Sequence, residues 1–195
     1  MSQLPLTVTR ATPSTRVIAL IGLVILAVLI AAPWWAGRAD LRLLGEFFLY
    51  LSLATLWNLM AGYAGLISVG QQAYVGLGGY LLFALTLLLG VHPLVALCIV
   101  GFIGMAVAIP VATLIFRLRG AYFAIGTWVI AEVFRLTAAQ VAPLGGGSGT
   151  SLPASIVRSI ASGRSEREMT MYFLALGIAV FVIAIVYFFL RSRRG

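Results

Sequence analysis

The chain has 195 residues, of which 62% are hydrophobic and 9% are charged, and its net charge is +8. Soluble domains carry about 25% charged residues, and a soluble fold of this size lacks the interior to hide so many apolar side chains. The composition therefore excludes an ordinary soluble enzyme and indicates a membrane protein. Every basic residue is arginine, so the chain lacks the lysine that a phosphate-binding P-loop needs.

Six apolar runs are each close to the length of about 20 residues that crosses a membrane. They are Val17 to Trp35, Leu43 to Ala61, Tyr74 to Gly90, Pro93 to Phe116, Gly120 to Ala139 and Met171 to Leu190. We therefore predict an all-α integral membrane protein with about six transmembrane helices. Most arginines flank these runs, which is typical of membrane proteins and argues against a nucleic-acid-binding surface.

The distribution of arginine predicts that both termini are cytoplasmic. With that orientation, seven arginines lie on the inner flanks, and only Arg38 and Arg42 lie on the short outer flanks. We expect residues 1–16 to form a cytoplasmic tail and residues 17–190 to form the transmembrane domain. That domain includes an external loop at 140–170, which is rich in glycine and proline and has a short amphipathic piece near its middle.

Residues 62–73 read GYAGLISVGQQA and interrupt the pattern of apolar helices. The segment holds too many glycines for a stable helix interior. At membrane depth, such backbone must be buried in protein or line a wet cavity. We predict a re-entrant or tight connecting segment here.

Polar residues inside two of the predicted helices are candidates for a translocation path. Ser52, Thr55 and Asn58 share one side of the second helix, where helix packing and a path border are the two explanations. Glu132 lies about 18 Å into the fifth helix, where a carboxylate is costly unless it is paired or wetted. Arg135, three residues later, is placed to pair with it. The pattern leaves open whether this pair is structural or faces a water-filled path.

Three other features carry no chemistry in this interpretation. His92 is the single histidine and precedes a proline, so we predict a turn residue and no metal site. The string GGSG at 146–149 matches the short motif of intramembrane serine proteases but has no structural context for a catalytic site. Cys98 lies within an apolar run, where we expect a small buried hydrophobe.

Three stretches carry a resemblance to a known family. They are NLMAGYAGLISVGQQAYVGLGGY at 58–80, FRLRGAYFAIGTWVIAEVFRL at 116–136 and LGGGSGT at 144–150. In order and spacing they resemble the inner-membrane permease subunits of branched-chain amino acid ABC transporters, specifically the LivM-type half. The likeness covers nearly the whole chain and is specific in the first two stretches.

The resemblance implies a non-catalytic subunit that forms half of a path for branched-chain or related hydrophobic amino acids in the bacterial inner membrane. It implies a second, LivH-like permease, two cytoplasmic ATPases that use ATP, and a periplasmic amino-acid-binding protein. The chain itself would need no cofactor. Gln71 stands where the family usually has histidine, and Gln71 and Gln72 are further candidates for the path.

The resemblance also predicts that the permease is incomplete. Family members are usually longer, and after the sixth helix they continue into a cytoplasmic segment that docks into the ATPase. The string RSRRG at 191–195 resembles the opening of that segment, which makes Arg191, Arg193 and Arg194 candidates for ATPase contact. A truncated gene product, a fragment and half of a split gene are the open explanations.

Two other functions remain as alternatives. An ion-coupled secondary transporter or channel would need ion sites at broken helices. Glu132 and the segment at 62–73 are the candidates for such sites, and the scarcity of acidic residues disfavours this reading. The second alternative is a non-functional truncated permease or a membrane scaffold, which the early end of the chain favours.

Overall fold

The computed structural model describes residues 13–146, 151–161 and 163–192, and over these residues the fold is helical, with no strand. The helices are α1 (Pro13–Ala31), α2 (Arg38–Asn58), α3 (Gln71–Leu87), α4 (Pro93–Ile115), α5 (Ala121–Ala139), α6 (Ala154–Ile160) and α7 (Arg164–Arg191). Short turns of other helix types follow three of them: 3₁₀ turns at Ala32–Trp34 and Ala142–Leu144, and a π-helical turn at Leu59–Tyr63. The predicted all-α class is confirmed.

Within the described residues, five helical segments are long and apolar enough to cross a membrane, which makes the chain a multi-pass membrane protein. They are Val17–Trp34, Arg38–Tyr63, Pro93–Ile115, Ala121–Ala139 and Arg164–Arg191. The remaining predicted span corresponds to α3, which has 17 residues and is therefore short for a crossing of its own. The count of six crossings stays a prediction.

Two helices begin earlier than the apolar pattern predicted, at Arg38 and Arg164 instead of Leu43 and Met171. In each case a carboxylate at the third helical position accepts a hydrogen bond from the backbone N–H of the preceding glycine, at 3.2 Å in α2 and 3.1 Å in α7. This interaction stabilises the first turn even where the residues are polar. The connection that was predicted to be an external loop is therefore shorter than 140–170, and it contains a short helix, α6, near its middle, as predicted.

The end of α1 packs with α2 and α7 around a buried aromatic pair. Tyr172 is 1% exposed, and its ring meets that of Phe48 edge-on, with 5.6 Å between the ring centres. The Tyr172 hydroxyl donates to the carbonyl oxygen of Leu29 at 2.7 Å. The two helices lie close together here, since a methyl group added to Gly45 would be in ordinary van der Waals contact with the Ala175 methyl, at 3.9 Å.

A second group is formed by α3, α4 and α5. The Val69 N–H donates to the Thr127 hydroxyl at 3.1 Å, and further along both segments the Tyr80 hydroxyl donates to the Gly146 carbonyl at 2.6 Å. The order of these contacts shows that α3 runs parallel to α5. Because Thr127 lies about 9 Å along α5, α3 begins level with the second turn of α5, not with its start.

His92 caps α4, so its predicted turn role is confirmed. Its Nδ1 accepts the Leu94 N–H at 3.4 Å, which leaves Nε2–H to donate to the Ser159 carbonyl of α6 at 3.0 Å. This pairing holds α6 against the start of α4. The expectation for Cys98 was wrong, because its side chain lies on the exposed surface of α4, where a membrane helix carries apolar residues toward lipid.

Candidate functional site

The glycine-rich break between α2 and α3 is non-helical over residues 64–70, which is narrower than the predicted 62–73. Gly65 has φ +67°, a left-handed conformation that glycine adopts without strain. The Trp57 indole N–H donates to the Ser68 carbonyl at 3.3 Å and anchors the segment to α2. Over residues 64–70, the turn at Gly65 and the hydrogen bond from Trp57 therefore take the place of the regular hydrogen bonds of a helix.

The end of this break touches α5 directly. The Thr127 hydroxyl donates to the Ala124 carbonyl at 2.8 Å while accepting from the Val69 N–H, so one side chain satisfies a backbone donor that has no helical partner. A methyl group added to Gly70 would lie 2.4 Å from the Thr127 carbonyl oxygen. The contact with Thr127 lies in the second turn of α5 and not at its start, which agrees with a segment that enters the membrane. The depth of this segment in the membrane stays a prediction.

Thr127→Val is expected to lower the free energy of unfolding by about 1 kcal/mol, because the Val69 N–H loses its acceptor while the side-chain volume is kept. Thr127→Ser keeps the hydroxyl and is expected to stay closer to the parent chain. Thermal unfolding in detergent, followed by tryptophan fluorescence, measures both. Equal loss of stability in the two variants would contradict the role of the hydroxyl.

A cavity of about 820 Å³ lies between α3 and α5 and beneath the turn at Ala142–Leu144. Its size falls within the range of small-molecule sites, and most of its lining is apolar. The α3 wall includes an apolar stripe of residues at helical spacing, namely Leu77, Leu81 and Ala84, and Leu88 continues it just past the end of the helix. The polar lining residues are Gln72, Tyr80, Glu132, Arg135 and Thr137.

Glu132 and Arg135 form an ion pair on the α5 wall of this cavity. The Arg135 Nε donates to one carboxylate oxygen at 2.9 Å and Nη2 donates to the other at 2.5 Å. The side chains remain 44% and 65% exposed, respectively. The pairing predicted from the spacing is present, and both partners also line the cavity. The sequence left open whether the pair is structural or faces a water-filled path, and these two explanations are compatible with each other.

The polar stripe of α2 lies away from this cavity. Ser52 is 5% exposed, and its hydroxyl donates to the Phe48 carbonyl at 2.7 Å. Thr55 donates in the same way to the carbonyl of Leu51 at 2.7 Å. Both follow Phe48 at helical spacing, on the side of α2 that faces α7. Asn58, at the end of α2, is exposed and does not line the cavity. A role for these three residues in the path stays a prediction.

The two glutamines occupy the first turn of α3. Gln72 lines the cavity, whereas Gln71 is half-buried outside its lining. Of the predicted path residues, the structure therefore brings together Gln72 and Glu132.

Sequence reasoning missed the residues that close the cavity at the predicted external end. The Tyr80 hydroxyl bonds to the Gly146 carbonyl and holds the turn that carries Leu144, which is 4% exposed. A signal was present, because a tyrosine within a membrane helix needs a partner for its hydroxyl. The identity of that partner depends on the tertiary fold.

The predicted ATPase contacts are only partly described. Arg191 is the last residue of α7, and its Nη1 donates to the Tyr187 hydroxyl at 3.3 Å. Arg193 and Arg194 lie outside the described residues, as do residues 147–149 of the GGSG string and most of the predicted tail at 1–16. The contact role of the three arginines stays a prediction.

The sequence model of a protein family described as the permease component of branched-chain amino acid transport systems matches residues 41–195. The high-affinity branched-chain amino acid transport system permease protein LivM of Salmonella typhimurium is 24% identical over 146 residues. The alignment covers 74% of this chain and 34% of that protein, so the chain spans about a third of the length of this relative. No solved structure matches the chain significantly.

Proposed function

Because the chain belongs to the permease-component family of branched-chain amino acid transport systems, we propose that it forms half of the translocation path of an ATP-driven importer. The cargo would be branched-chain or related hydrophobic amino acids. The observation that carries this proposal is the extent of the family match, which includes α3, α5 and the cavity between them. The family is one of transport permeases, not of enzymes, and we expect no catalytic activity of the chain itself.

The cavity supports a role in transport. Charged side chains within a membrane helix are costly and usually mark a substrate or ion pathway. Here the pair of Glu132 and Arg135 lines a mostly apolar cavity, and the glycine-rich break between α2 and α3 lies next to Gln72 and Ala73, which line the same cavity. A hydrophobic cargo suits such walls.

The proposed assembly adds a second, related permease, two cytoplasmic ATPases and a periplasmic amino-acid-binding protein. ATP would be bound and hydrolysed by the ATPases, so this chain would hold no cofactor. We place the chain in the bacterial inner membrane with both termini cytoplasmic. The end of α7, with Arg191, then lies on the side from which the ATPases would dock.

Deletion of the gene is expected to abolish high-affinity leucine uptake in cells that encode it, and the intact gene is expected to restore uptake. Uptake of radiolabelled leucine should fail when cellular ATP is depleted and persist when an uncoupler collapses the proton gradient in cells that still make ATP. Uptake of an unrelated sugar is the control. Leucine uptake that survives ATP depletion and follows the ion gradient would instead support a secondary transporter.

A further inference from the structure

We propose that Glu132 and Arg135 bind the charged head group of an α-amino acid in the cavity between α3 and α5, with its apolar side chain against the α3 wall. The inference rests on the proposed function and assigns a ligand class to this cavity. It starts from the charge of the lining. Of the described residues that line the cavity, Glu132 and Arg135 are the charged ones, so this part of the lining carries one charge of each sign and no net charge.

A neutral site with two adjacent opposite charges fits a zwitterion better than an anion or a cation. In an α-amino acid, one carbon separates the ammonium from the carboxylate, so both charges of the ligand reach both members of the pair. The bidentate contact uses Nε and Nη2 of Arg135, which leaves the Nη1 donors for the ligand carboxylate. Glu132 retains lone pairs that accept from the ligand ammonium.

The exposure of the pair shows that it is accessible to a ligand. Helix α5 is apolar enough to cross a membrane, and direct contact of these charged groups with lipid would be costly. Yet the side chains of Glu132 and Arg135 are 44% and 65% exposed. Both residues line the cavity, where water or a polar head group would solvate their exposed atoms.

The remaining walls determine what kind of side chain the ligand carries. Across from the pair, the α3 wall presents the apolar stripe that includes Leu77 and Leu81, and Leu144 closes the predicted external end. The Tyr80 hydroxyl is already bonded to Gly146. A volume of about 820 Å³ exceeds what one amino acid fills. Because apolar pockets discriminate weakly between side chains that differ by a methylene, we expect leucine, isoleucine and valine all to bind.

Binding of radiolabelled leucine to the purified 195-residue chain in lipid nanodiscs tests this proposal. We expect isoleucine and valine to displace leucine. Isoamylamine has the leucine side chain without the carboxylate, and isocaproate has it without the ammonium. Neither analogue is expected to displace leucine at a concentration at which valine does, because each engages one member of the pair.

The decisive variant is Glu132→Gln combined with Arg135→Gln, which removes both charges and leaves neither unpaired in the membrane. Leucine affinity is expected to fall by about tenfold or more, because hydrogen bonds to charged groups are among the strongest in a site. The matched control is Arg42→Gln combined with Glu46→Gln, which removes an exposed pair on α2 outside the cavity. The leucine affinity of this control variant should equal that of the parent chain. Gel filtration and melting temperature check the fold of both variants.

Two results would overturn the proposal: absence of leucine binding to the parent chain, or unchanged affinity in the Glu132 and Arg135 double variant. The cellular uptake experiment separates this failure from failure of the proposed function. Leucine uptake that requires the chain but tolerates the double substitution contradicts the site alone. Leucine uptake that does not require the chain contradicts the transport function itself.

Discussion

Gly70→Ala is expected to lower the free energy of unfolding by about 2 kcal/mol, because the new methyl group has no room. It would lie 2.4 Å from the carbonyl oxygen of Thr127 and 3.0 Å from its carbonyl carbon. These atoms belong to the backbone of α5, so no side-chain rotation relieves the clash. The dihedral angles of Gly70, φ −92° and ψ 9°, are accessible to alanine, so the effect is one of contact and not of backbone conformation.

The matched control for Gly70 is Gly79→Ala in the interior of α3. A methyl group at Gly79 meets nothing within 4 Å, and alanine has the higher helix propensity, so we expect stability to be unchanged or slightly higher. Thermal unfolding in detergent, read by circular dichroism, compares the two variants. If both alanines are tolerated equally, the close approach of the break to α5 is wrong.

The glycine-rich break illustrates what the sequence predicts and what it cannot. The density of glycines indicated that residues 62–73 interrupt a helix, and the structure places an interruption at 64–70. Gly70 has no room for a side chain, whereas Gly79 does, and the sequence does not distinguish the two. That difference depends on how close the chain comes to α5, which is a tertiary contact between distant segments.

The end of α3 shows the same limit at a helix boundary. The apolar run predicted a helix from Tyr74 to Gly90, but α3 ends at Leu87. Gly90 has φ +64°, a conformation in which glycine commonly follows the end of a helix. Hydropathy gives no sign that the helix ends here, because leucines at 87–89 continue directly up to Gly90.

One part of the candidate site can be predicted from local sequence, and the other part depends on contacts between distant segments. Glu132 and Arg135 are neighbours on one helix, so their pairing follows from a spacing of three residues. The cavity depends on the register of α3 against α5 and on the bond from Tyr80 to Gly146, neither of which a local pattern encodes. The spacing of Ser52 on α2 is compatible with packing, which is the more common explanation, and with a path, and only the fold shows its hydroxyl bonded to its own helix.

Tyr172→Ala is expected to cost about 3 kcal/mol of unfolding free energy, because this side chain joins three helices. On α7 it is 1% exposed, its ring packs on Phe48 of α2, and its hydroxyl bonds to Leu29 of α1. Membrane helices associate through such packing and hydrogen bonds, since lipid supplies no hydrophobic force between them. The deletion therefore removes the contacts that hold α1 and α2 against α7.

Two further substitutions on α7 separate the parts of this effect, with thermal unfolding of the detergent-solubilised chain as the measurement. Tyr172→Phe keeps the ring contact and is expected to cost about 1 kcal/mol for the lost hydrogen bond. Tyr187→Ala removes a tyrosine that is 55% exposed on the same helix, and we expect less than about 1 kcal/mol. A similar loss at both tyrosines would mean that α7 does not pack on α2 through this face. Without that packing, the polar stripe of α2 would be free to border the path.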